Sequence, residues 1–165
     1  MTQTPRVAIT GASGRMGQTL ISLINATDRM VLAGAIERPG HDWLGRDVGE
    51  AMGGGPLGII VSDDAATVLE NADAVIDFTA PAATLAFAAG AAEAGIVHVI
   101  GTTGMSADEI AALAPFADRA TIIRAGNMSL GVNLLTQLTK RVAAALDEDF
   151  DIEVIEAHHN QKVDA

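Results

Sequence analysis

The chain has 165 residues, 49% of them hydrophobic, and a formal charge of -11 from 10 Lys plus Arg against 21 Asp plus Glu. That length fits one domain, or one domain and a piece of another, and that charge excludes non-specific binding to nucleic acid, which needs a positive surface. The sequence has no cysteine, which excludes disulfides, thiolate metal sites and a cysteine nucleophile; no apolar run reaches the ~18 residues of a membrane span.

Strand-like and helix-like segments then alternate. "RVAIT" (6–10) is a short apolar run ending at glycine, and the next segment places Met16, Leu20, Leu23 and Ile24 at helical spacing. Strands are expected at 30–37, 57–63 and 72–80. Residues 81–95 open on Pro81, are rich in alanine and close on Gly95, the order expected of a helix. "VHVIGTT" (97–103) is a fifth strand. Ser106 with Glu109 reads as a capping box, ahead of a helix that Pro115 kinks or ends. "ATIIRAGN" (120–127) is a sixth strand, and 131–149 a long amphipathic helix with Leu134, Leu135, Leu138, Val142 and Leu146 near one stripe. "FDIEVIEA" (150–157) alternates acids with apolar residues, as a half-exposed strand of a different sheet would.

Apolar strands separated by helices imply a parallel sheet covered on both faces. The expected fold is α/β, a doubly wound parallel Rossmann-type sheet, followed by the beginning of a second α+β, mixed-sheet domain. The boundary is set at residue 128: a dinucleotide-binding domain over 1–128, and over 129–165 the first helix and strand of a substrate-binding and oligomerisation domain. No secretory signal is read at the N-terminus, so the expected compartment is the cytoplasm.

"VAITGASGRMG" is strand, then Gly11-x-x-Gly14-x-x-Gly17, then helix. One glycine permits the tight bend, one lets backbone approach a pyrophosphate, and one allows close helix–strand packing. The helix N-terminus adds N–H donors and a positive dipole end. Strand two ends at Glu37, twenty residues after Gly17, where an acid can accept the ribose hydroxyls of an adenosine. Arg38 beside it can pair with a 2′-phosphate, so both NADH and NADPH are admitted. The bland reading is a glycine-rich turn and two solvated charges. Other strand ends, "DFTAP" (77–81), "GTTG" (101–104) and "AGNMSLG" (125–131), are small and polar. They can lie against a nicotinamide, or Thr79, Thr103 and Ser129 can cap the helices that follow.

"EAHHNQKVDA" (156–165) closes the chain. It reads as a solvated tail, as a metal-binding histidine pair, or as an anion and proton site built from His and Lys. Adjacent strand residues point to opposite faces, which disfavours the metal; no metal is expected.

Taken together, "GASGRMG", "GAIER", "DFT", "GTTG", "GNMSLGVN" and "EAHHNQKVDA" resemble the dihydrodipicolinate reductase (4-hydroxy-tetrahydrodipicolinate reductase) family over essentially the whole chain. The E-A-H-H-x-x-K-x-D run is the most specific piece. In that family the run continues into P-S-G-T-A and a long further stretch, so the resemblance implies an N-terminal portion with little or no turnover of its own. It implies an oxidoreductase of lysine and diaminopimelate biosynthesis that uses NADH or NADPH on a cyclic dicarboxylate, cytoplasmic, and a homotetramer when full length. Carried over by position, Gly11, Ala12, Ser13, Gly14, Arg15 and Met16 hold the pyrophosphate, and Glu37 and Arg38 the adenosine ribose. Gly101, Thr102, Thr103, Ala125, Gly126, Asn127 and Met128 lie by the nicotinamide. His158 and Lys162 donate the proton, and His159 with Thr103 contacts a substrate carboxylate. The alternative is a non-catalytic NAD(P)-binding sensor module, which needs the glycine loop and Glu37 but has no use for His158 and Lys162.

Overall fold

The computed structural model describes residues 3–146, 148–155 and 157. Two compact units divide the chain, Met1–Arg124 and Ala125–Ala165.

In the first unit, strands β1 (Arg6–Thr10), β2 (Val31–Ile36), β3 (Val61–Ser62), β4 (Ala74–Asp77), β5 (Val97–Ile100) and β6 (Thr121–Arg124) form one sheet in the order β3-β2-β1-β4-β5-β6. All its ladders are parallel. Parallel neighbours need crossovers, and these carry helices α1 (Arg15–Asn25), α2 (Val48–Ala51), α3 (Ala65–Glu70), α4 (Pro81–Ala94) and α5 (Ala107–Ala111), with a 3-10 turn over Ala114–Asp118. The period-2 alternation of side chains splits the core between two faces. Val7 and Ile9 pack with Ile21, Ile24, Ala35, Val48 and Val61. Ala8, between them in sequence, packs with Ile36, Leu69, Val75 and Ala91 on the other face. The doubly wound parallel sheet expected from sequence is therefore present, and its order reverses between β1 and β4.

Local chemistry accounts for the ends of elements. Helix α4 starts with Pro81 in its first turn and stops at Gly95, whose φ of 69° is left-handed. Ser106 and Glu109 make the capping box, with the Glu109 carboxylate accepting from Ser106 N–H at 2.8 Å. Helix α5 ends at Ala111 and the turn carrying Pro115 takes over. Two of the three alternative caps are not made: α4 begins at Ala80 without a side-chain cap, and α5 is capped by Ser106. Thr79 and Thr103 therefore cap neither helix; the Thr79 hydroxyl turns to Asp77 instead.

The third strand is shorter than expected, two residues against 57–63. Asp47 is the cause. Its Oδ1 accepts from the N–H of Leu57 at 2.9 Å, and its Oδ2 from that of Gly58 at 2.7 Å. Gly58 itself sits at a φ of +77°, outside the strand region. Backbone donors committed to a side chain cannot enter a ladder.

In the second unit, α6 (Leu130–Ala145) is capped by Ser129, whose hydroxyl accepts from Val132 N–H at 3.4 Å. The strand expected over 150–157 is not formed in its described part: residues 150–155 have no regular structure. Ile152, Val154 and Ile155 are exposed. A strand exists only through a hydrogen-bonded partner, and no described segment pairs with this one, so the alternating pattern alone does not make it.

Candidate functional site

The carboxyl ends of the strands in the first unit carry the chemistry. At the end of β1 the chain turns on Gly11, whose φ is +59°, a conformation that disfavours a side chain. Gly14 N–H donates back to Gly11 C=O at 2.9 Å, closing the turn. Gly14 is then the N-cap of α1, without a side-chain cap and without an acid in the first turn. Gly17 is buried where a Cβ would stand 2.2 Å from the Gly11 carbonyl oxygen and 2.9 Å from Ala12 backbone carbon. The close helix–strand packing expected of the third glycine is thus a contact that admits no side chain. Ala12 is buried, Ser13 half-buried, and Gly14, Arg15 and Met16 are exposed along the rim.

Glu37 ends β2 and reaches the same loop. Its Oε1 accepts from Ser13 N–H at 2.9 Å and from the Ser13 hydroxyl at 2.7 Å, while Oε2 accepts from Arg38 N–H at 3.1 Å. Burial pushes its carboxyl up, but the hydrogen bonds from Ser13 and Arg38 and the charge of His41 nearby outweigh this and leave it lowered. A carboxylate has about four acceptor positions, so three bonds leave room for one more donor. Sequence placed Glu37 at a ribose; the structure adds that it clamps the glycine loop onto β2. Arg38 is exposed beside it.

The second half of the sheet meets the first through a node that sequence reading missed. Asp77, at the end of β4, is fully buried. Its Oδ1 accepts from the Thr10 hydroxyl of β1 at 3.0 Å, from Thr79 N–H at 3.0 Å and from the Thr79 hydroxyl at 2.6 Å. Thr102, after β5, takes the same Thr79 N–H on its Oγ1 at 3.0 Å and receives the Thr84 hydroxyl of α4 at 2.8 Å. His98 of β5, also fully buried, points Nε2 at Asp77 Oδ2 across 3.3 Å. Burial raises the Asp77 carboxyl, and the hydrogen bonds from His98 and Thr79 more than reverse this, so it stays ionised below the usual carboxylate range. Gly101 lies under Phe78: a Cβ there would meet the ring at 2.1 Å. Thr102 is buried and Thr103 exposed.

The structure thus brings Gly11–Met16, Glu37, Arg38 and Gly101–Thr103 to one edge of one sheet. Ala125, Gly126, Asn127 and Met128 belong to the second unit. There Asn127 organises the start of α6, its Oδ1 accepting from Ser129 N–H at 2.7 Å and its carbonyl from Asn133 Nδ2 at 2.8 Å. His158, His159 and Lys162 lie outside the described residues. Among the described residues no group of His, Asp and Glu is placed to hold a metal ion, and no helix is long and apolar enough to cross a membrane.

A family model described as "Dihydrodipicolinate reductase, N-terminus" matches residues 5–128, and its companion, "Dihydrodipicolinate reductase, C-terminus", matches 131–165. The chain belongs to the dihydrodipicolinate reductase family. A protein of Ruegeria pomeroyi named 4-hydroxy-tetrahydrodipicolinate reductase is 70% identical over all 165 residues, and this chain covers 61% of it. One of Cereibacter sphaeroides with the same name is 59% identical over the same span, again 61% of its length. Among solved structures, dipicolinate-bound dihydrodipicolinate reductase from Paenisporosarcina sp. TG-14 superimposes with a TM-score of 0.68 at 21% identity, over 86% of this chain and 54% of that one; it shows the fold. The chain spans about three fifths of the length of the curated dihydrodipicolinate reductase relatives it matches.

Proposed function

We propose that this chain supplies the coenzyme-binding part and the proton-donating motif of an NAD(P)H-dependent 4-hydroxy-tetrahydrodipicolinate reductase. The observation that carries the reading is the glycine cradle: Gly17 packs so closely that a Cβ on it would stand 2.2 Å from the Gly11 carbonyl oxygen, below a helix start with no capping side chain and no acid. Such a cradle suits a pyrophosphate. Gly11–Met16 would hold it, Glu37 would accept a ribose hydroxyl in its remaining acceptor position, and Arg38 would face a 2′-phosphate where one is present. Gly101–Thr103 and Ala125–Met128 would line the nicotinamide. When bound, a reduced nicotinamide coenzyme supplies the hydride for the conjugated C=N/C=C system that loss of water leaves in the cyclic dicarboxylate.

His158 and Lys162 then deliver the proton that quenches the charge left on the ring. His159 and Thr103 hold a carboxylate, each charge-assisted contact contributing about 1.5–3 kcal/mol. We place the enzyme in the cytoplasm, where its coenzyme pool is, and as a homotetramer at full length. The exposed stripe of Leu134, Leu135, Leu138 and Val142 on α6 supports further apolar partners for the second unit. The segment that the relatives carry beyond this span would then complete both the substrate pocket and that face.

The test is coupled. In a chain extended to the relatives' length, His158→Gln is expected to cut turnover by about 10²-fold or more while NADH affinity stays within twofold. The 165-residue chain is expected to bind coenzyme with little turnover. Unchanged turnover in the variant, or full turnover in the short chain, contradicts the assignment; coenzyme binding with no turnover in the extended, unaltered chain would favour a sensor, which has no use for His158.

A further inference from the structure

The sheet order reverses between β1 and β4. In a doubly wound sheet a dinucleotide lies across that seam, with one mononucleotide on each half. Asp77 stands at the end of β4, and its carboxylate is bonded to Thr10 on the β1 side. It is bonded as well to Thr79, whose methyl would lie 3.1 Å from a Cβ on Gly11 of the phosphate loop. Through the shared Thr79 N–H the node continues to Thr102, next to Gly101, on which the Phe78 ring is stacked. One buried carboxylate thus bonds Thr10, the residue that leads into the phosphate loop, on one side and the Thr102 hydroxyl, at 3.5 Å, on the other.

We infer that Asp77, supported by His98, is a positioning residue that sets the spacing between the two halves of the coenzyme site. The inference rests on the coenzyme reading above. The hydrogen-bond logic is one-sided. All three short donors converge on Oδ1, and among the described residues Oδ2 faces only His98 Nε2. With the carboxylate ionised, Nε2 must carry the proton to make that bond. Nδ1 of His98 then has no hydrogen-bond partner among the described residues, although it is buried. A buried unpaired ring nitrogen costs stability, so a purely structural core position would be better filled by an apolar side chain. A ring that backs the Asp77 carboxylate, and so holds Oδ1 toward Thr10 and Thr79, accounts for its presence.

The experiment compares two ligands on the 165-residue chain: NADH, which needs both halves, and ADP-ribose, which lacks the nicotinamide. For Asp77→Ala the expected result is an NADH dissociation constant raised about tenfold or more, with ADP-ribose affinity changed less than about threefold. Asp77→Asn keeps the Oδ1 acceptor, and its amide can donate to His98 Nε2 once the ring proton sits on Nδ1; it is expected to recover NADH affinity to within about threefold of the unaltered chain. Should Asp77→Ala not fold, Thr10→Val removes the hydroxyl that spans the seam to Asp77 Oδ1 and, at 3.4 Å, to the Ile76 carbonyl, with little change in side-chain volume, and it is expected to weaken NADH selectively. Parallel losses for both ligands, or unchanged NADH affinity in a folded Asp77→Ala or Thr10→Val chain, overturn the inference. No NADH binding by the folded, unaltered chain overturns the coenzyme reading and this inference with it.

Discussion

Two glycines of this chain illustrate why a residue type has meaning only with its neighbours. A Cβ on Gly17 would stand 2.2 Å from backbone oxygen of Gly11, whereas Gly55 has nothing within 4 Å and an ordinary φ. Backbone cannot swing away as a side-chain tip can, so Gly17→Ala must separate α1 from the Gly11–Ala12 backbone that follows β1. It is expected to destabilise the fold by about 1–3 kcal/mol and to weaken NADH binding. Gly55→Ala is expected to leave both within experimental error. Thermal melts and coenzyme titrations of the two variants check this, and equal effects would contradict the cradle.

The role of Gly17 was legible from its place between a strand and a helix, because the contact is local. Glu37 was legible as an acid at a strand end, but its three bonds to Ser13 and Arg38 were not. Asp77 and His98 were invisible as a pair. Thr10 and Asp77 are 67 residues apart, and Asp77 and His98 21. Only the parallel register of β1, β4 and β5 brings them together.

At the scale of elements, apolar period predicted well wherever an element could pair within the chain. β1, β2, β4, β5 and β6 each have a neighbour on the sheet. The segment 150–157 has the alternation of a strand, and its described residues 150–155 have no partner and no strand. Alternation reports which face an element would bury, not whether a partner is at hand. β3 was curtailed for a different reason, since Asp47 draws off the donors of Gly49, Glu50, Leu57 and Gly58. Its carboxyl is lowered, the Leu57 N–H being the largest cause. Asp47→Ala is therefore expected to free the loop over residues 49–58 without unfolding the sheet. Hydrogen exchange should quicken at the amides of Leu57 and Gly58 and stay unchanged at Ile9 and Val75 in the core. Uniform quickening, or none, would contradict the anchoring role given to Asp47.

At the scale of the molecule, a chain of net charge -11 is proposed to bind an anionic coenzyme. Net charge acts at long range and is screened within about 8–10 Å at ordinary ionic strength. The proposed site would act at contact distance, with backbone N–H groups and Arg38 against phosphate. The two scales are compatible because the acids that enter the site are already committed: Glu37 to Ser13 and Arg38, Asp77 to the threonines and His98. That commitment places the central claim in the glycine loop and its clamp rather than in the overall charge. Titration calorimetry of the folded chain with NADH and NADPH tests it most directly. One coenzyme bound per chain with saturable heat, and loss of that heat in Gly17→Ala, is the expected result; a folded chain that gives no heat with either coenzyme would contradict it.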